Sequence, residues 1–165
     1  VQAALAAEMK DESDGWACVV LTGPDPLVSV YTPIIRLVNR GLPLSMDYSC
    51  LVLSQAPSAH RITRRAANCL ELEVVDGSML GTEFERLFRS ARFPLRAGQR
   101  VEVAHCAITV IEEGVDGPTK ILAEFDRPLD DPSLQFLEWK DGCLRKAQIP
   151  EVGESRLLQR AGGLI

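Results

Sequence analysis

Near the start of the chain two apolar ribbons bracket a helical stretch, and no other feature constrains the fold as tightly. Trp16-Ala17-Cys18-Val19-Val20-Leu21 and Tyr48-Ser49-Cys50-Leu51-Val52-Leu53 show no regular polar alternation. Strands of that kind are ordinarily covered on both faces, in the middle of a sheet. Between them Leu27, Val30, Tyr31, Ile34, Leu37 and Val38 recur at helical spacing. Asp25 suits the N-cap and Pro26 the first helical position. Arg36 and Arg40 fall in the last turn, and Gly41 closes it. Pro33 either kinks this helix or starts it behind Thr32, and the kink is the favoured reading. Strand, helix and strand in that order predict a β-α-β unit over residues 16–55.

Beyond Gln55 the pattern turns to paired strands. His60-Arg61-Ile62-Thr63-Arg64 and Cys69-Leu70-Glu71-Leu72-Glu73-Val74 alternate, which predicts a hairpin. Arg61, Arg64 and Arg65 are placed to meet Glu71 and Glu73 across it. Thr82-Glu83-Phe84-Glu85 fits a capping box ahead of a short amphipathic helix ending near Ser90. Gln99 to Phe125 reads as a β-meander, with a change of phase at Ala104-His105 that marks a tight turn or bulge. Asp141-Gly142 pins a last hairpin over Leu134 to Lys146.

The expected fold class is therefore α+β. A mixed sheet opens with the β-α-β unit, antiparallel hairpins and a meander follow, and two to three helices complete it. Residues 1–150 form one domain in this reading: a lead-in helix and linker over 1–15, the β-α-β unit, and a β-rich part over 56–150. Residues 151–165 are a C-terminal tail, with Gly162-Gly163 fraying at its end. The chain opens without Met in a stretch that already looks helical, so it is expected to be a piece of something longer.

Charge and cysteine usage exclude more than they propose. A formal net charge of −5 argues against a nucleic-acid binder. The cysteines (Cys18, Cys50, Cys69, Cys106, Cys143) show no metal-ligand spacing, and His60 and His105 are the two histidines. A zinc site is not expected. Four of the five cysteines fall in apolar runs, where a reduced thiol acts as a small hydrophobe. No dinucleotide fingerprint, phosphate-binding loop, nucleophile elbow or metalloprotease motif is present, and no cofactor is expected.

Three constellations remain. If the chain is an enzyme, Asp25, Ser54 and His60 at the carboxyl ends of the first two strands are the catalytic candidates, since open α/β sheets bind ligands there. Each also has a plainer role: Asp25 as a cap, Ser54 as a loop residue, His60 as a strand residue. Arg86, Arg89, Arg92, Arg96 and Arg100 form a local reversal of sign that suits an anionic lipid surface or an acidic partner. The plainer reading is a solvated face paired with neighbouring glutamates. Asp126-Arg127-Pro128-Leu129-Asp130-Asp131-Pro132 invites a calcium proposal, yet it lacks alternating oxygen ligands and reads as a turn. His105 is assigned no role.

Gly23-Pro24-Asp25 leading to Tyr31, Met79-Leu80-Gly81 through Phe84-Glu85-Arg86-Leu87-Phe88-Arg89, and Phe125 through Leu134 with Trp139 and Gly142 carry a resemblance. Together they resemble the soluble C-terminal region of a group of uncharacterised bacterial multi-pass membrane proteins, over about Trp16 to Ser155. The resemblance implies a membrane-embedded upstream part, and hence membrane association with the side left open. It supplies no catalytic residues. The function expected is a non-catalytic accessory or interaction domain whose main partner is the rest of its own polypeptide. The alternative is a small hydrolase or transferase using Asp25, Ser54 and His60.

Overall fold

The computed structural model describes residues 17–23, 31–32, 49–82, 85, 93–103 and 105–160. The described residues are nearly all β, in ten strands and two sheets, and this corrects the α+β expectation of one mixed sheet with two to three helices. The lead-in helix, and all of the 26–41 helix except Tyr31 and Thr32, lie outside the described residues. The chain divides into two compact units. One holds the described residues up to Pro57 together with Pro132–Gln148; the other holds Ser58–Asp131 and Ile149–Arg160.

In the first unit β1 (Ala17–Thr22) lies beside β2 (Ser49–Val52), the two parallel, with Cys18 opposite Cys50 and Val20 opposite Val52. Its other neighbour is β8 (Leu134–Lys140), also parallel, which hairpins into antiparallel β9 (Cys143–Lys146). The order is β2-β1-β8-β9. Every residue of β1 is buried, as its unbroken apolar run requires. Cys18, Val20, Leu137, Trp139 and Leu144 form the apolar cluster on one face. The β8–β9 turn puts Asp141 and Gly142 at φ 52° and 78°, the left-handed pair that a two-residue hairpin turn demands.

The second unit is a six-stranded antiparallel sheet. It contains β3 (His60–Ala66), β4 (Cys69–Val74), β5 (Arg100–Val103), β6 (Cys106–Glu113), β7 (Pro118–Phe125) and β10 (Ser155–Leu158), in the order β10-β3-β4-β7-β6-β5. The stretch expected to trail as a tail thus supplies an edge strand, with Leu158 opposite His60. Ile62, Leu70, Leu72, Ile121, Ala123 and Phe125 fill the apolar face.

Charged side chains lace the other face. Arg61 donates to Glu73 at 2.8 Å, and Arg65 grips Glu71 through two bonds of 2.8 Å. Arg64 departs from the expected trio. It stands opposite Leu70 and so points to the apolar side, with a register shift between Arg64 and Ala66. Its buried guanidinium donates to the carbonyls of Ala66 and Ala67 and to both oxygens of Asp130. The aspartate-rich loop is therefore tied to the end of β3 by an ion pair.

The capping box forms as read. Glu85 N–H donates to the Thr82 hydroxyl, and Glu85 Oε2 accepts from Thr82 N–H at 3.1 Å and from its hydroxyl at 2.7 Å. Residues 86–92 behind it lie outside the described residues.

Gly117, at φ 148°, approaches the carbonyl of Met79 so closely that a β-carbon would collide with it, whereas Gly142 faces open space. Gly142→Ala is expected to cost about 1 kcal/mol, the left-handed strain alone. Gly117→Ala is expected to cost about 1–3 kcal/mol more, for displaced backbone. Denaturant midpoints of the two variants check the ranking.

Candidate functional site

An open cleft of about 420 Å³ lies in the six-stranded unit, where β5, the start of β6, the end of β7 and the β3–β4 turn converge. The β5–β6 turn carries His105 at φ 64°, a left-handed conformation that histidine tolerates better than branched residues do. Because Cys106 stands opposite Phe125, the next pair outward is His105 and Asp126. Asp126 N–H donates to the His105 carbonyl at 3.1 Å, and His105 Nδ1 lies 2.9 Å from Asp126 Oδ2. Arg127 closes the group, donating from Nε to Asp126 Oδ1 at 2.7 Å and from its terminal nitrogen to Oδ2 at 3.0 Å. That guanidinium, and secondarily the His105 bond, hold the Asp126 carboxyl down at about 2.

The cleft wall is braced by local pairing. Asn68 donates its side-chain amide to the Phe125 carbonyl at 2.9 Å, and Phe125 N–H donates to the Asn68 carbonyl at 2.9 Å. Arg100 on β5 reaches Glu124 on β7 in an ion pair. Cys106 is buried at the start of β6, and burial pushes its thiol up to about 11 despite the nearby Arg100. A cysteine, a histidine and an aspartate line this cleft, the residue types of a thiol nucleophile site, but the register sets Cys106 on the apolar face with Val103 and Phe125. The chemistry requires a thiolate, and a thiol near 11 is ionised at about one part in ten thousand at pH 7.

Of the catalytic candidates read from sequence, Ser54 and His60 lie away from this cleft, whereas Arg100 and Asp126 from the two other constellations line it. Ser54 is buried in the four-stranded unit, where its hydroxyl accepts from Ala56 N–H at 3.1 Å. His60 belongs to the six-stranded unit and is fully buried; desolvation lowers its pKa to about 4, against a backbone bond at Ser58 that raises it. Asp25, Arg86, Arg89 and Arg92 lie outside the described residues. Of the arginine segment, Arg96 pairs with Glu113 at 3.4 Å and Arg100 with Glu124. Among the described residues no group of three or more His, Cys, Asp or Glu side chains is arranged to hold a metal ion. No helix among them is long and apolar enough to cross a membrane, which leaves crossing by strands untouched.

No known protein family, curated protein or solved structure matches this chain. The pairing of His105 with Asp126 escaped the sequence reading because the two are 21 positions apart. The signal available was the phase change at 104–105: extending the β6–β7 register one step past Cys106 and Phe125 brings the two together.

Proposed function

We propose that the chain is a non-catalytic interaction domain of a larger, membrane-bound bacterial protein, and that the cleft with its bordering strand β5 is a recognition surface. The observation that carries this reading is the edge strand β5, whose Val101 and Val103 stay exposed beside the cleft, while Cys106 speaks against catalysis. The cleft has the residue types of a nucleophile site, but its thiol is buried and held protonated by desolvation. The carboxylate that would orient a catalytic histidine is also engaged by the Arg127 fork. Such an arrangement offers fixed donors and acceptors to a partner. Attachment to a membrane-embedded region rests on the sequence resemblance. The hydrolase or transferase reading draws no support from Ser54 or His60, one engaged in a turn and the other enclosed by apolar neighbours.

Alkylation of the folded chain by iodoacetamide, followed thiol by thiol by mass spectrometry, tests the central point. Half-buried Cys50 is expected to react before Cys106 at pH 7.5, and the Cys106 rate is expected to climb steeply towards pH 11. Rapid labelling of Cys106 at neutral pH would make the cleft a reaction centre and overturn the proposal.

A further inference from the structure

We infer that β5 is a docking edge for a second copy of this chain: two β5 strands pair antiparallel about Val101, with Arg100 of each facing Glu102 of the other. The inference rests on the recognition-surface reading and names its partner.

Strand β5 ends the six-stranded sheet and has β6 as its one strand neighbour among the described residues. Val101 stands opposite Ile108, which stands opposite Ala123; Val103 stands opposite Cys106, which stands opposite Phe125. The two valines thus belong to the apolar face whose central members are buried. Yet Val101 is 40% exposed and Val103 38%, so the apolar face runs out uncovered at this edge. A neighbouring strand that continued the face would bury both.

Backbone phase limits how such a strand can add. Val110 N–H donates to the Gln99 carbonyl at 2.9 Å, and bonding positions alternate along an antiparallel ladder. Val101 and Val103 therefore turn their backbone groups to β6, while Arg100 and Glu102 turn theirs outward. A second β5 related by a two-fold axis must pair these outward residues with each other. Centred on Arg100, the register sets arginine against arginine; centred on Glu102, it sets glutamate against glutamate. Centred on Val101, it sets Arg100 against Glu102 twice, with Val101 against Val101 where side chains come closest.

Charge complementarity thus selects one register, and with it a copy of the same strand as the occupant. Glu102 forms no ion pair among the described residues and is open to a partner's arginine, which in each copy is Arg100, shared between its own Glu124 and the facing Glu102. A charged edge ordinarily resists pairing, but here the charges are opposite and spaced to answer each other. The other outer strand, β10, reads Ser155-Arg156-Leu157-Leu158 and holds no acid to set against its arginine.

Sedimentation of the whole chain from about 1 μM to about 1 mM, the range of weak association, tests this. A monomer–dimer equilibrium is expected. Glu102→Arg sets like charges opposite and is expected to weaken it at least about tenfold. The swap Arg100→Glu with Glu102→Arg, made in a Glu124→Gln background because Arg100 pairs with Glu124 in its own chain, is expected to restore it. Val101→Cys is expected to cross-link to its own counterpart on mild oxidation, because facing residues at a non-bonded position lie within disulfide reach. Glu102→Cys under the same conditions is not. Circular dichroism and thermal melting establish that each variant is folded. A wild type that stays monomeric throughout, a folded Glu102→Arg that dimerises undiminished, or a folded swap that fails to restore association would overturn the inference. Binding of an unrelated extended peptide to a monomeric chain would also replace the second copy as occupant. Because sedimentation is read independently of Cys106 labelling, failure of the pairing and failure of the non-catalytic reading are told apart.

Discussion

Acidification from pH 7 to pH 4 is expected to remove about 3 kcal/mol of stability through His60 alone. The imidazole is enclosed between Val74 and Leu158 on the neighbouring strands and is fully buried. Desolvation lowers its folded pKa from 6.5 to about 4. Between those values the unfolded chain binds a proton that the folded chain refuses. Stability is therefore intact above pH 6.5 and falls as pH drops towards 4, below which both states are protonated and this contribution stops changing. Urea unfolding at pH 7 and pH 4.5 measures the loss, and His60→Gln is expected to flatten much of the difference. A wild-type midpoint unchanged over that range would place His60 in contact with water.

Leu72→Ala is expected to cost about 2–5 kcal/mol, a large share of a typical domain stability of about 5–15 kcal/mol. Leu72 lies in register between Ile62 on β3 and Ile121 on β7 and is fully buried. Truncation removes apolar contacts on both sides and leaves a cavity that paired strands cannot collapse to fill. Val115→Ala, at a fully exposed turn position, is expected to fall within about 0.5 kcal/mol of the parent. Urea midpoints with unchanged slopes decide between the two outcomes. Equal midpoints for the two variants would move the core away from β4.

What was legible in the sequence is what local chemistry dictates. Alternation in Cys69–Val74 marked a strand with one apolar and one charged face, and Asp141-Gly142 marked a turn that needs positive φ at both positions. Sheet membership was not legible, because pairing between distant segments leaves no local pattern. Leu134–Lys140 is buried at all but its last residue, like β1, and that shared character is the trace of their parallel pairing. In the linear chain it reads as half of the last hairpin, which β9 completes, with nothing local to name β1 as its other neighbour. Strand β10 is short and lacks alternation, so Ser155–Leu158 looks like tail until β3 supplies its partner. The cleft was hidden for the same reason: His105 beside a turn has no evident purpose until the β6–β7 register delivers Asp126 and Arg127 to it.

The functional account depends on β5 being an open edge rather than a covered one. Amide hydrogen exchange on the dilute chain, read residue by residue, measures that directly. The account predicts slow exchange at Leu70 and Leu72 in β4, intermediate exchange at Val101 and Val103, whose amides face β6, and fast exchange at Arg100 and Glu102. Protection of Arg100 and Glu102 equal to that of β4 would show the edge already paired within the chain, and would contradict both the recognition surface and its partner.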